Sequence, residues 1–418
     1  MNGSLRQVME SITRLTRAGK LKEATAAIQR ALSRSMPHVE PAAASGAAAH
    51  SFQDTARHSR YDDADVVIDI DARFIPEPME ETAPAAFDPT PHGFTRGETA
   101  PMPFSEPVIE PFAKPEVQEP PATPGQFIDG SHTNPAGTRP FKLYIPSGAP
   151  AGLRPMVVML HGCKQNPGDF AAGTRMNEHA QALGWYVLYP GQQPAANQMN
   201  CWNWFQEADQ HRGRGEPSII ADMTCRVIAE HDIDPNRVYV AGLSAGGAMS
   251  AIMATTYPEI YAAAGIHSGL PHAAANDLVS ALMAMKKGPS TNAGAPARTE
   301  RVVVPTIVFH GDRDTTVHPS NGEEVIAQAR FSSSQSAAAM AGGQTDAEQG
   351  VVAGGHTYTR RTHRDALGRC DAEHWIVHGA GHAWSGGSRK GSYTDPLGPD
   401  ASAEMVRFFA EHPQSWRN

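Results

Sequence analysis

The chain has 418 residues, of which 40% are hydrophobic and 19% are charged, and its formal net charge is −9. This length excludes a small scaffold held together by disulfides, and it leaves room for two or three domains of about 150 residues or for one large domain with appendages. The lack of a large basic field excludes a nucleic-acid-binding surface, and no apolar run reaches the roughly 18 residues that a membrane span needs.

The first 35 residues have a helical pattern and a basic charge, with seven Lys or Arg against two Asp or Glu. Apolar residues recur at helical spacing on both sides of Gly19, at Leu5, Val8, Met9, Ile12 and Leu15 and at Leu21, Ala24, Ile28, Ala31 and Leu32. This pattern predicts a helical hairpin over residues 1–35. Two roles stay open for it: formation of a homo-oligomer or packing on the main domain, and docking on an anionic or apolar surface. Since charged residues interrupt the apolar ones, no signal-peptide core is formed, and we expect a cytoplasmic protein.

Residues 36–125 contain 15 of the 34 prolines and the excess of acid, with 16 Asp or Glu against 5 Lys or Arg. A segment of this composition cannot bury enough apolar surface to offset the entropy of ordering it. We therefore predict a disordered linker, within which only segment 66–70 has the composition of a strand.

From residue 126 onward, short apolar runs alternate with helical segments. Strands are predicted at residues 141–145, 156–160, 185–189, 237–240, 261–265, 306–309 and 374–377. Several of these runs are almost continuously apolar, which is typical of strands covered on both faces. The alternation of strands and helices predicts an α/β domain over residues 126–418, with a doubly wound, mostly parallel sheet.

The motif Gly242-Leu243-Ser244-Ala245-Gly246 lies between a predicted strand and a helix predicted at 248–255. In such a tight strand-to-helix turn, a serine has a strained backbone that projects its hydroxyl from the edge of the sheet. Glycine is required at Gly242 and Gly246 because a Cβ atom there would collide with neighbouring backbone. The context favours a nucleophilic Ser244 over a glycine-rich helix N-terminus without catalytic function.

A serine nucleophile needs a histidine to remove its proton and a carboxylate to hold that histidine in the right tautomer. Asp312 and Asp314 follow the predicted strand at 306–309, and His382 follows the last predicted strand in a glycine-rich loop. The order Ser, Asp, His, with each residue beyond the carboxyl end of a strand, is the order of α/β-hydrolases. We predict Ser244, Asp314 and His382 as the catalytic residues, and a turn-capping role for Asp312.

His161-Gly162-Cys163 ends an earlier strand, where an α/β-hydrolase places half of its oxyanion hole. We predict the backbone N–H groups of Cys163 and Ala245 as the two donors. The thiol of Cys163 is expected to be a small buried group, and a contact or disulfide with Cys201 is the alternative. The histidines have no metal-ligand spacing and the four cysteines are scattered, so we predict no metal and no cofactor.

The segment Cys201-Trp202-Asn203-Trp204-Phe205 places three aromatic residues on a predicted loop, and Trp384 lies two residues beyond His382. Two roles are compatible with these side chains. One is packing in the core. The other is an apolar crevice around the serine, walled by Trp202, Trp204 and Trp384 and suited to an acyl chain.

From about residue 131 to its C-terminus, the chain resembles the poly(3-hydroxybutyrate) depolymerase family of esterases, which also includes feruloyl and acetyl esterases of plant polysaccharides. The matching segments are Leu160-His161-Gly162-Cys163-Lys164-Gln165, the segment from Cys201 to Phe205, Gly242-Leu243-Ser244-Ala245-Gly246-Gly247, His310-Gly311-Asp312 with Asp314 and Val317, and Gly381-His382-Ala383-Trp384-Ser385-Gly386-Gly387. The resemblance implies an α/β-hydrolase fold, a triad of Ser244, Asp314 and His382, and an oxyanion donor at Cys163. It also places the tryptophans along the cleft, and we assign His161 to the same substrate-binding set.

The resemblance further implies a function. Secreted depolymerases carry a signal peptide and a C-terminal substrate-binding domain, and we recognise neither in this sequence, so we expect an intracellular-type member. Its expected substrate is poly(3-hydroxybutyrate), its oligomers or another small ester, cleaved in the cytoplasm or at the surface of polyester granules, where the basic hairpin would dock. Two alternatives stay open: a feruloyl- or acetyl-type carbohydrate esterase, and a granule-associated protein without catalytic activity.

Overall fold

The seven strands that the sequence predicts between residues 141 and 377 are present in the structure, a computed structural model that describes residues 125–148, 151–288, 304–331 and 344–414. These residues all fall in one of the two units into which the chain divides, Ile109–Asn418. The predicted hairpin at 1–35 and the predicted strand at 66–70 lie outside the described residues.

The strands of the main sheet are β1 (Gln126–Asn134), β2 (Gly137–Ile145), β3 (Arg154–Leu160), β4 (Tyr186–Pro190), β5 (Ile233–Leu243), β6 (Ala263–His267), β7 (Thr306–Gly311), β8 (Thr345–Val351), β9 (Thr357–Arg364) and β10 (Cys370–Val377). A separate parallel pair is formed by β11 (Trp384–Ser385) and β12 (Thr394–Asp395). The helices are α1 (Pro167–Thr174), α2 (Met176–Leu183), α3 (Gly215–Glu230), α4 (Ala245–Thr256), α5 (Leu278–Lys287), α6 (Ser320–Phe331) and α7 (Ala401–Glu411), with a short 3₁₀ helix at Glu207–Gln210.

The order of strands in the main sheet is β1-β2-β4-β3-β5-β6-β7-β10-β9-β8. The central run from β4 to β10 is parallel throughout, and the strands outside it pair in the antiparallel sense. The sequence did not predict β1, β8 and β9, because these strands lie at the edges of the sheet or next to an edge and carry mostly polar residues. Each of them pairs in the antiparallel sense. Antiparallel strands need no crossover helix between them, so the alternation of strands and helices does not predict them.

The core lies on both faces of the sheet, which explains the continuously apolar runs. In β3, Met156 and Val158 belong to the cluster on one face, whereas Val157 and Met159 belong to the cluster on the other. All four side chains have 0% of their surface exposed. Helices therefore have to cover both faces, as in doubly wound sheets.

Capping residues fix where the helices near the site begin. Asn166 accepts hydrogen bonds from the backbone N–H groups of Gly168 and Asp169 at the start of α1, and Asp400 accepts one from Ala403 at the start of α7. Within the described ranges, no helix is long and apolar enough to cross a membrane, and no group of three or more His, Cys, Asp or Glu is arranged to hold a metal ion.

Parallel strands bring their carboxyl ends to one edge of a sheet, and ligands bind at that edge in folds of this kind. The segments that follow β3, β5, β7 and β10 are those that contain Cys163, Ser244, Asp314 and His382. The fold thus places the residues predicted from separate motifs along one edge.

Candidate active site

Ser244 lies at the turn between β5 and α4, in a backbone conformation (φ 57°, ψ −118°) that residues other than glycine rarely adopt. The turn is tight: a Cβ atom on Gly246 would lie 1.9 Å from the carbonyl oxygen of Leu160, and one on Gly242 would lie 2.4 Å from that of Gly246. Glycine is therefore required at both positions. The backbone N–H of Ser244 donates to His267 O at 2.9 Å, so the surrounding structure holds the strained turn in place.

The Asp314 carboxylate is buried among hydrogen-bond donors just beyond β7. Its Oδ1 accepts the backbone N–H groups of Thr316 and Val317, each at 2.8 Å, and its Oδ2 accepts Nδ1–H of His382 at 2.6 Å. His310 Nε2 lies 3.4 Å from the same Oδ2 and donates to Val317 O at 2.9 Å. Burial by itself would raise the pKa of Asp314, but the hydrogen bonds from His310, His382 and Val317 outweigh it and hold the pKa well below its usual value.

An ionised Asp314 fixes the tautomer of His382. Because a carboxylate can only accept, Nδ1 of His382 carries the proton, and Nε2 is left to act as a base. The His382 side chain is 12% exposed. The structure contains the hydrogen bond between Asp314 and His382. The Ser244 hydroxyl hydrogen-bonds to none of the described residues, so its bond to His382 is not formed. Hydrogen bonds to a catalytic base are often long in the absence of substrate.

His267, which sequence reasoning did not place in the site, connects the turn at Ser244 with the loop that carries His382. Its carbonyl accepts the Ser244 N–H, and its Nε2 accepts the backbone N–H of Ser385 at 2.9 Å. Burial lowers the pKa of His267 to about 3, so the ring is neutral and can accept this bond. The ring also stacks on Trp384 at 5.0 Å between centroids. Its one sequence signal is its place at the carboxyl end of a strand beside β5.

Asp312 contacts the loop that carries His382, but not the His382 ring. Its Oδ2 accepts Nδ1–H of His378 at 2.9 Å, and its Oδ1 accepts the backbone N–H of Gly379 at 2.7 Å. This is a capping contact, and it is made to the loop after β10 rather than within the turn of Asp312 itself.

Of the two predicted oxyanion donors, Ala245 directly follows Ser244, and Cys163 lies in the loop after β3. The Cys163 N–H bonds to none of the described residues, and Ala245 is the first residue of α4, where a backbone N–H has no acceptor within the helix. The loop after β3 approaches the serine closely, since a Cβ atom on Gly162 would lie 3.6 Å from Ser244 Cβ. Backbone N–H groups beside a nucleophile are what stabilisation of an oxyanion requires.

His161 supports the peptide group that carries the Cys163 N–H. The backbone N–H of Gln192 donates to His161 Nε2 at 3.1 Å, so the proton of the neutral ring lies on Nδ1, which donates to Gly162 O at 2.8 Å. The ring is fully buried, and burial lowers its pKa to about 4. The structure corrects the predicted substrate contact of His161: the side chain lies beneath the loop and has no exposed surface.

Cys163 and Cys201 form a disulfide, with their Cα atoms 4.2 Å apart. The expectation of a free, buried thiol at Cys163 is therefore wrong, and the alternative of a disulfide is the one observed. The bond ties the loop after β3 to the aromatic segment 201–205. That segment is held in turn by the buried carboxylate of Glu216, which accepts the backbone N–H of Asn203 at 2.7 Å and its side-chain N–H at 2.8 Å.

The tryptophans predicted as crevice walls are buried. The exposed fraction is 0% for Trp202, 1% for Trp384 and 5% for Trp204. Trp202 packs on His161 at 5.6 Å between ring centroids, and Trp384 donates its Nε1–H to Ser402 Oγ at 3.1 Å. Because a buried side chain offers almost no surface to a bound ester, the structure corrects the prediction of a tryptophan-walled crevice and favours core packing.

The parallel sheet, the strained serine after β5 and the His–Asp pair contributed by the loops after β7 and β10 define the class: the protein has the α/β-hydrolase fold. The family model described as Esterase PHB depolymerase matches residues 140–349, which is half of the chain. The chain therefore belongs to the PHB depolymerase family of esterases.

Comparisons with individual proteins agree with this family. The chain is 39% identical over 208 residues to poly(3-hydroxyalkanoate) depolymerase C of Paucimonas lemoignei (47% of this chain, 49% of the relative) and 36% identical over 149 residues to feruloyl esterase B of Neurospora crassa (35% and 49%). Its match thus spans about half the length of these relatives. The solved acetyl xylan esterase from Aspergillus awamori is similar in fold, with a TM-score of 0.51 and 20% identity over 68% of this chain and 99% of that chain.

Proposed function

We propose that the protein is a serine-dependent carboxylic ester hydrolase that cleaves ester bonds of poly(3-hydroxybutyrate) or its oligomers. The observation that carries this proposal is the 2.6 Å hydrogen bond between Asp314 and His382, at the sheet edge that also holds the strained turn of Ser244. A histidine that a buried carboxylate holds in one tautomer is the base that activates a serine hydroxyl.

In the proposed reaction, Ser244 Oγ attacks the ester carbonyl carbon while His382 Nε2 takes the hydroxyl proton. The N–H groups of Cys163 and Ala245 hold the oxyanion, and each donor contributes about 3 kcal/mol to the transition state. Collapse of the tetrahedral intermediate breaks the bond to the leaving oxygen, which receives the proton from His382. Water, deprotonated by His382, then attacks the acyl-enzyme, and the acid leaves as Ser244 regains its proton.

Three of the relatives favour two different ester classes. The relative that is 39% identical is named as a polyhydroxyalkanoate depolymerase, which supports a polyester substrate. The feruloyl esterase at 36% identity, and an acetylxylan esterase of Aspergillus fumigatus at 30%, keep a carbohydrate ester as the second candidate. The buried tryptophans do not separate the two, because they offer almost no surface to either substrate.

Parallel assays of product release separate these substrates. We expect release of 3-hydroxybutyrate from amorphous polyester or from its oligomers to exceed release of acetate from acetylated xylan and of ferulate from feruloylated xylan by at least about tenfold in kcat/KM, a difference of about 1.4 kcal/mol. Faster release of acetate or ferulate would instead assign the chain to carbohydrate esters. A protein that cleaves none of these, nor p-nitrophenyl butyrate, would be the granule-associated alternative without catalytic activity.

We also propose that residues 1–35 dock the enzyme on a polyester granule, since a basic, amphipathic hairpin suits an anionic or apolar surface. Deleting residues 1–125 is then expected to leave kcat for p-nitrophenyl butyrate within about twofold, because no proposed catalytic or oxyanion residue lies there, and to reduce co-sedimentation with granules. If the hairpin only joins subunits, binding per subunit would persist while the mass in solution fell. Loss of small-ester activity would contradict the domain boundary at 125/126.

A further inference from the structure

Gln165 holds both polar backbone groups of Gly162. Its side-chain Oε1 accepts the Gly162 N–H at 2.9 Å, and its own backbone N–H donates to Gly162 O at 3.3 Å. The Gln165 side chain is 1% exposed, so these bonds are shielded from water. The orientation of the amide is fixed by its partners, because the Gly162 N–H can only donate.

Holding Gly162 also fixes the direction of the Cys163 N–H. The carbonyl of Gly162 and the N–H of Cys163 belong to one planar peptide group and point in opposite directions. His161 Nδ1–H and the Gln165 backbone N–H hold the carbonyl on one side, at 2.8 and 3.3 Å. The Cys163 N–H is therefore directed to the other side, away from these two donors.

The other end of the Gln165 side chain reaches a segment 227 residues away. Its Nε2 donates to Ser392 O at 3.0 Å and to Asp169 Oδ2 at 3.0 Å. Asp169 binds the same segment, since its carboxylate accepts the Ser392 backbone N–H at 2.9 Å and the Ser392 hydroxyl at 2.6 Å. These contacts form a closed network of one amide, one carboxylate and one serine, which is part-buried at Gln165 and exposed at Ser392.

Ser392 belongs to the same loop region as His382. The next residue, Tyr393, accepts the backbone N–H of Trp384 at 2.7 Å, and Trp384 lies two residues beyond His382. The pairing of β11 with β12 continues this contact. A continuous path of hydrogen bonds and backbone thus joins Gly162 to the loop that carries the base.

We propose that Gln165 is a positioning residue that aligns the Cys163 N–H with the reacting carbonyl and couples this alignment to the loop of His382. The proposal rests on the proposed esterase function and deepens it. Gln165 touches no reacting atom. It acts on the transition state through the direction of one backbone donor, and such donors act only when they lie within a few tenths of an ångström of the developing charge.

The test is a kinetic comparison of Gln165→Met with the wild-type protein on p-nitrophenyl butyrate. Met keeps the volume and removes the side-chain hydrogen bonds to Gly162, Ser392 and Asp169, so we expect kcat to fall about 10- to 100-fold with KM within about twofold. An alkyl trifluoromethyl ketone, which forms a tetrahedral adduct with the serine, should lose affinity by the same factor as kcat/KM falls, because both report on the oxyanion. A residue with only a structural role would lower the melting temperature without this matched loss.

The variant Gln165→Glu tests the coupling to the His382 loop separately from the contact with Gly162. It also replaces Gln165→Met as the test if the Met variant does not fold. It keeps an acceptor for the Gly162 N–H but replaces the donor to Ser392 with an oxygen that faces Asp169, so kcat should fall about as far as in Gln165→Met. A Glu variant with wild-type kcat would overturn the coupling to the His382 loop.

Gln181→Met is the matched control. Gln181 also uses its oxygen as an acceptor, from Tyr144 Oη–H at 2.7 Å, and its nitrogen as a donor, to Ser147 O at 3.0 Å, but it lies on α2 and contacts no loop of the site. Its kcat should stay within about twofold of wild type. Suppose that Ser244→Ala inactivates the protein but Gln165→Met has wild-type kinetics. That result would overturn the positioning role of Gln165 and leave the proposed function intact. A wild-type protein that hydrolyses no ester would overturn both.

Discussion

Replacing Ser244 with Ala is expected to abolish hydrolysis of every ester that the protein cleaves, with a loss in kcat of roughly 10⁶-fold, as for other triad serines. The hydroxyl is the atom that forms the acyl-enzyme, and nothing else at the strained turn can replace it. The Ser244 hydroxyl bonds to none of the described residues, so the substitution removes no hydrogen bond that stabilises the fold. Hydrolysis of p-nitrophenyl butyrate measures the loss, and thermal unfolding checks the fold.

A matched control exists in Ser218→Ala. Ser218 is buried, and its hydroxyl donates to Gly215 O at 2.8 Å within the first turn of α3, outside the loops that form the candidate site. We expect this variant to lose some stability and no more than about twofold in kcat. If Ser244→Ala retained most of its activity, Ser244 would not be the nucleophile and the proposed function would fail at its first step.

The sequence predicts the centre of the sheet well, because central parallel strands are buried on both faces and must be apolar. β3 is the clearest case, since its residues alternate between two cores and all are hydrophobic after Pro155. The outer strands β1, β8 and β9 are stabilised by antiparallel pairing and consist mostly of polar residues. Their composition is close to that of a loop, so periodicity does not reveal them.

The candidate site is predictable where one residue type at one place in the fold suffices. Ser244 between two glycines, and Asp314 and His382 beyond later strands, are of this kind. The roles of His267 and Gln165 are not, because each depends on contacts between residues more than 100 positions apart. A sequence pattern within one segment does not indicate which distant residue will contact it.

The sequence left two alternatives open both for the burial of the tryptophans and for the pairing of Cys163. An apolar side chain such as Trp202 suits a core and a substrate crevice equally well. The packing of His161 against Trp202 in the structure favours the core. The disulfide joins Cys163 to Cys201 across 38 positions, and the Gln192 side chain also contacts the second loop, donating to Cys201 O at 2.9 Å. Disulfides persist mainly in oxidising compartments, so this bond argues against the expected cytoplasmic location.

The two neighbouring aspartates give a second large expected effect. Asp314→Asn should reduce kcat by about 10⁴-fold, because an amide facing Nδ1 of His382 favours the wrong tautomer and cannot stabilise the imidazolium that forms during the reaction. The variant keeps the shape of the side chain, and its amide oxygen can still accept from Thr316 and Val317. Steady-state hydrolysis of p-nitrophenyl butyrate, with a melting curve for each variant, measures the effect.

Asp312→Asn is the matched comparison, since both carboxylates follow β7 and both accept from a histidine and from a backbone N–H. Asp312 differs in its partner: it pairs with His378, whose ring is 38% exposed, and not with His382. An exposed pair of this kind contributes at most about 1 kcal/mol, so Asp312→Asn should cost less than about tenfold in kcat. The opposite ranking, with Asp312→Asn the more damaging substitution, would mean that the pair of Asp314 and His382 is not the one that activates Ser244.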